Sequence, residues 1–280
     1  MKKSGVSVAA VLDEAAELVV RGVPGWAGLL ALTSLPLRFL EAHLVNRLVQ
    51  LGEGAPRYAD YFISLSWLVT FALIPAFWGR AVFARACSLA LSGKTAGRGA
   101  PLGRSVRLPL PALVSYLYAA TVAELLFLGL GWTFVALPAV ALFAGLAAAT
   151  SSLQERPGPL ASLSLPLRSM RPFAPFLGLT VVFGLALGIA VLNLFFLFQL
   201  ILWLAGTSGA DLSWWEAALG GPHFQLLVLA GAISAVEPFW IAALVAAVRR
   251  ARARESGEDL FAWFAEIRSA RSEHSEEDAA

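Results

Sequence analysis

The sequence predicts an all-α, polytopic membrane protein of about six transmembrane helices plus interfacial amphipathic helices. Three observations predict it. Hydrophobic residues make up 58% of the 280 and charged residues 14%, against roughly 45–50% and about 25% in soluble domains. The mean hydropathy of +0.72 is more than a water-facing surface can hide. The basic residues also fall in blocks that alternate with the apolar stretches.

The elements follow in chain order. Residues 5–22 read as an amphipathic helix at the membrane surface. Val8, Val11, Leu12, Ala15, Leu18 and Val19 share one face, away from Asp13, Glu14 and Glu17. The plainer expectation is a leader helix that packs on the first span. The acidic residues interrupt the apolar core that a cleaved signal would need, so this segment is expected to be retained.

The first span is expected at about 24–45, with Arg38 and Glu41 three apart and able to pair on one helical face. The second lies at about 61–83, with Pro75 inside it. From Leu108 to Thr150 the only charge is Glu124. A span needs only about 20 residues, so this stretch must cross twice, at about 108–128 and 132–150. A polar interlude with a short amphipathic helix after Pro159 precedes the fifth span, at about 175–205. Trp214 and Trp215 suit the membrane interface in the loop that follows. The sixth span is expected at about 224–248. Residues 1–250 thus form a six-helix membrane domain, and 251–280 a cytoplasmic amphipathic and acidic tail.

Orientation comes from the basic residues. Of the 21, only Arg38, Arg47 and Arg57 fall on one side. The others lie before the first span, after the second and fourth, and after the last. This is the positive-inside pattern with both termini cytoplasmic, in a bacterial inner (cytoplasmic) membrane.

Chemistry is sparse. The one cysteine, Cys87, excludes an internal disulfide and a multi-cysteine zinc site. His43, His223 and His274 show no ligand spacing. Ser88-Leu-Ala-Leu-Ser-Gly93-Lys94-Thr95 has the end of a phosphate loop but serine where its first glycine belongs, and no strand before it. HExxH, GxSxG and GxGxxG motifs are missing. No cofactor, no metal, no nucleic acid and no catalytic residue is expected.

Two carboxylates are the candidate intramembrane functional residues. Glu124 lies inside the third span and Glu237 inside the sixth. An ionisable group there is costly and is a functional hypothesis by default. Its structural alternative is a neutral or hydrogen-bonded carboxyl near a helix end. Pro238 lacks an N–H and frees a carbonyl one turn earlier, so Glu237 and the broken ladder together could line a small polar cavity. Asn193 and Gln199 in the fifth span more often join helices. In the tail, Phe261, Trp263 and Phe264 make an apolar face. With Arg252 and Arg254 they form a candidate surface for docking a partner or the inner leaflet.

The last span runs as EPFWIAALVAAVRRARARESGEDL. This resembles the end of uncharacterised bacterial six-helix membrane proteins related to the membrane domain of some glycerophosphodiester phosphodiesterases. There a basic stretch leads into Glu-Gly-x-Asp-Leu. Arg252, Arg254, Glu255, Gly257, Asp259 and Leu260 match, with Glu258 at the free position. Ser256 separates Glu255 from Gly257, a departure from that pattern. The segment ERPGPLASLSLPLRSMRPF is similar to that family's cytoplasmic helix after the fourth span. The resemblance implies a non-catalytic membrane domain. Its candidate partners are a transglutaminase-like membrane protein and a MoxR-type ATPase.

The expected function is therefore a non-enzymatic membrane scaffold or accessory subunit of an envelope complex. The alternative is a small transporter or channel-like protein with a polar path near Glu124 and Glu237. Topology is directly measurable. In a Cys87→Ala background, cysteines at Gly54 or Ser213 should react with an impermeant maleimide in intact cells. Cysteines at Gly93 or Ala279 should react only after permeabilisation.

Overall fold

The computed structural model describes residues 8–51, 58–91, 114, 149, 173–208 and 221–256. The expected third and fourth spans with Glu124, the helix after Pro159, and the tail with Phe261, Trp263 and Phe264 lie outside these residues. Among the described residues the structure is entirely helical.

Helix α1 covers Val8–Glu17 and continues into a π-helical turn, Leu18–Gly22. The chain then swings by 96° into α2, Pro24–Leu51. Val23 makes the corner. Its N–H donates back to the Leu18 carbonyl at 2.7 Å, and its carbonyl accepts from Trp26 and Ala27, each at 3.1 Å. Pro24 opens α2, where its fixed φ suits a helix start and its missing N–H costs nothing. Helix α3 is Tyr58–Leu91, α4 Phe173–Thr207 and α5 Pro222–Ser256.

Two of these helices are long and apolar enough to cross a membrane, over Gly178–Thr207 and His223–Arg250. A third qualifies if α1 and α2 form one bent span. The helices overrun the expected spans. Helix α3 continues to Leu91, so Arg80 and Arg85 are helical rather than part of a loop. Helix α5 passes without a break through residue 250 to Ser256, so Arg252 and Arg254 sit on its last turns.

Helix α5 is the hub, touching α1, α2, α3 and α4. Its segment Ile241–Val248 is buried on every side, largely by alanines that let neighbouring helices approach closely. Phe83, Leu30, Leu179, Val11 and Ala15 close around it. The apolar face of α1 is thus covered by protein. It packs mainly on α5 rather than on the first span. Arg250 Nε donates to Glu14 Oε2 at 2.8 Å, and its Nη2 to the Ala10 carbonyl at 3.3 Å. Both side chains are partly exposed, so this ion pair contributes at most about 1 kcal/mol. The apolar face does more.

Helix α4 is the opposite case. Phe183 meets Trp240 edge-on at 5.1 Å and Phe198 meets Phe224 at 4.8 Å. Most of its other side chains, from Val181 to Leu204, are exposed. Asn193 and Gln199 are exposed as well, not wedged between described helices.

Helices α2 and α3 approach closely at Gly79. A Cβ there would run into the Thr33 hydroxyl and come within 3.3 Å of Thr33 Cβ. That hydroxyl is pinned by bonds to the Leu29 and Leu30 carbonyls at 2.9 and 3.1 Å. Gly79→Val should therefore cost about 1–3 kcal/mol by overpacking, read as a lower midpoint of unfolding in detergent. Thr33→Ala should restore part of the loss.

Candidate functional site, an ion-paired cluster inside the bundle

Three helices bring charge to one place. Arg38 comes from α2, Arg80 from α3 and Glu237 from α5. Each stands more than about 16 Å from either end of its helix, at 1.5 Å per residue. Arg80 and Glu237 are buried, 4% and 7% exposed, and Arg38 is partly buried.

Glu237 is the centre. Its Oε1 accepts from Arg80 Nε at 2.5 Å and from Arg38 Nη2 at 3.3 Å. Arg38 Nη1 also donates to Glu41 Oε2 at 2.6 Å, so the pairing expected from their spacing forms. Among the described residues, two guanidiniums and two carboxylates meet here and their formal charges cancel. The Arg80 guanidinium also lies 5.5 Å from the centre of the Phe77 ring, one turn earlier on its own helix. Guanidinium suits this position because its planar fork serves several acceptors and sheds water more readily than an ammonium.

Serines complete the polar zone. Ser34 is fully buried on α2 and bonds the Ala31 carbonyl at 3.3 Å. It lies one turn before Arg38. Ser234 is 3% exposed on α5, one turn before Glu237. Among the described residues neither Ser234 Oγ nor Glu237 Oε2 meets a hydrogen-bond partner. The Ser234 carbonyl is also the one that Pro238 leaves without its usual donor. Arg80 and Arg38 thus meet Glu237 beside the interrupted ladder.

A second polar contact marks one end of the α2–α5 seam. The rings of His43 and His223 stack with centroids 5.4 Å apart and planes 26° apart. Phe39 lies on His43 at 6.2 Å. Among the described residues no three His, Cys, Asp or Glu side chains gather as metal ligands. Cys87 is buried and free.

The sequence picked out Glu237 but assigned Arg80 to a basic loop and so missed its main partner. A signal was available. The apolar run resumes after Arg80 with Ala81, Val82 and Phe83, which marks a charge inside a helix rather than beyond its end. Glu124 lies outside the described residues.

No family model matches the chain, and neither does any curated protein or solved structure.

Removing one partner from a buried pair strands the other charge, at about 3–5 kcal/mol. Arg80→Met should therefore destabilise the protein by that order. Arg38→Met should cost less, because Arg38 is 20% exposed and Glu237 keeps its closer partner Arg80, although Glu41 loses its 2.6 Å contact. Unfolding midpoints of the two variants, measured in one detergent, check this ranking.

Proposed function

We propose that the protein is a non-enzymatic six-span scaffold or accessory subunit of an envelope protein complex. It sits in the bacterial inner membrane with both termini in the cytoplasm. The observation that carries this reading is the engagement of Glu237 by Arg80 and Arg38. A carboxylate that moves protons or cations through a membrane has to be free to change partners with its cargo. A carboxylate held by guanidiniums from two other helices instead joins three helices into one body. Positive charge beside it also raises the barrier to any cation on that path.

The apolar surface of α4 suits lipid or a neighbouring membrane helix. The relationship to the membrane domain of glycerophosphodiester phosphodiesterases is part of the same proposal and stands on the residues from Glu237 to Leu260. On that relationship, the candidate partners are a transglutaminase-like membrane protein and a MoxR-type ATPase. They would dock on the tail surface that carries Phe261, Trp263 and Phe264, beside Arg252 and Arg254.

Affinity purification in mild detergent, with mass spectrometry of what co-purifies, tests the proposal. Membrane or ATPase partners should appear in fixed stoichiometry. They should be lost when Phe261, Trp263 and Phe264 become alanine, while the variant protein itself stays folded. A monodisperse protein that purifies alone from native membranes would instead favour the transporter reading.

A further inference from the structure

The four charges at the centre are not equivalent. Glu237 has two guanidiniums, and Arg38 has two carboxylates. The Arg38–Glu237 contact is the longest of the three, at 3.3 Å. It is also the one whose loss leaves every charge of the group still paired, since Arg38 keeps Glu41 and Glu237 keeps Arg80. The link between α2 and α5 can therefore open without stranding a buried charge. The link between α3 and α5 is the shorter one, at 2.5 Å.

The backbone is interrupted at the same level. The three helices that supply the cluster each hold one internal proline: Pro36 in α2, Pro75 in α3 and Pro238 in α5. Pro36 is two residues before Arg38, Pro75 five before Arg80, and Pro238 directly follows Glu237. Each removes a ladder bond, and helices bend at such points. No internal proline marks α4 beyond its first turn. On one side of this level the core is dense, around Ile241–Val248. On the other side, the α2–α5 seam ends in the His43–His223 stack, and Leu229, Leu227 and Gln225 of α5 are exposed.

We propose that Arg38 is the exchangeable member of a hinge. It moves between Glu237 and Glu41 as the half of α2 beyond Pro36 swings away from α5, while the Arg80–Glu237 pair and the core below stay fixed. The packed structure is the closed form, with Arg38 spanning both carboxylates and the histidines stacked. In the open form Arg38 keeps Glu41 and releases Glu237. The proposal rests on this geometry and not on the accessory-subunit reading, since a scaffold that relays motion and a transporter that gates could each use it.

The two carboxylates then pull the seam in opposite directions, which gives the test. Spin labels on cysteines at Ala42 and Gln225, in a Cys87→Ala background reconstituted in lipid nanodiscs, report the seam by electron–electron distance measurement. Glu237→Gln removes the attraction across the seam and should shift the distribution to longer distances. Glu41→Gln removes the competing partner and should shift it to shorter or narrower distances. If Glu237→Gln does not assemble, Arg38→Lys serves in its place. It keeps the charge but loses the fork that spans both carboxylates, so it should also lengthen the distance. Identical distributions in all variants, or shifts of the two glutamine variants in the same direction, would overturn the hinge.

Discussion

A carboxylate buried inside a helix bundle has to be compensated where it stands, because an unpaired buried charge costs several kcal/mol. Glu237 meets this constraint with Arg80, and much of the arrangement follows. Arg80 must come from a helix that runs alongside α5 at the right height, which fixes α3 against α5. Gly79, the residue before it, lets α2 and α3 cross closely enough for Arg38 to reach the same oxygen. Glu41 then balances the second arginine. Sequence neighbours on three helices are thus committed to one electrostatic arrangement, and the apolar packing around Phe77 and Phe83 is built beside it.

The second organising feature is the N-terminal turn. Helix α1 leaves α2 at 96° and lays Val11, Ala15, Leu18 and Val19 against the end of the α5 core. Here an amphipathic helix uses its apolar face to close a bundle end. The alanine-rich stretch of α5 makes this possible, since small side chains admit α1, α2, α3 and α4 around a single helix. Helix α4 contributes little to that closure and presents a large apolar surface elsewhere. The described part of the protein is therefore asymmetric, dense at one end and open at the other. The ion-paired cluster lies at the boundary.

Helix placement was largely legible in the residues. The expected fifth and sixth spans fall on helices long and apolar enough to cross a membrane, and the first falls on the bent α1–α2 pair, because long apolar runs are local signals; the helix at the expected second span, α3, does not reach that mark. The Arg38–Glu41 pair was legible for the same reason, being a spacing on one helix. What was hidden is what depends on a neighbour. Arg80 sits at the edge of an apolar run, where a counting rule assigns an arginine to the nearest loop; only the facing Glu237 reveals it as a core residue. The amphipathic face of α1 was visible, but an apolar face does not say whether lipid or protein covers it. Asn193 and Gln199 look like helix-joining amides in sequence, yet they lie on the exposed surface of α4.

The central claim is that the Arg80–Glu237 pair holds the bundle through complementary charge rather than through the identity of either side chain. The direct test is charge exchange. Arg80→Glu and Glu237→Arg should each abolish a folded, monodisperse protein, since each sets two like charges together in a buried site. The double variant should recover a substantial part of the unfolding midpoint. Recovery in the double variant is the result expected from this account. A double variant no better than the worse single, with singles that fold normally, would contradict it and would show that Glu237 is not held by Arg80.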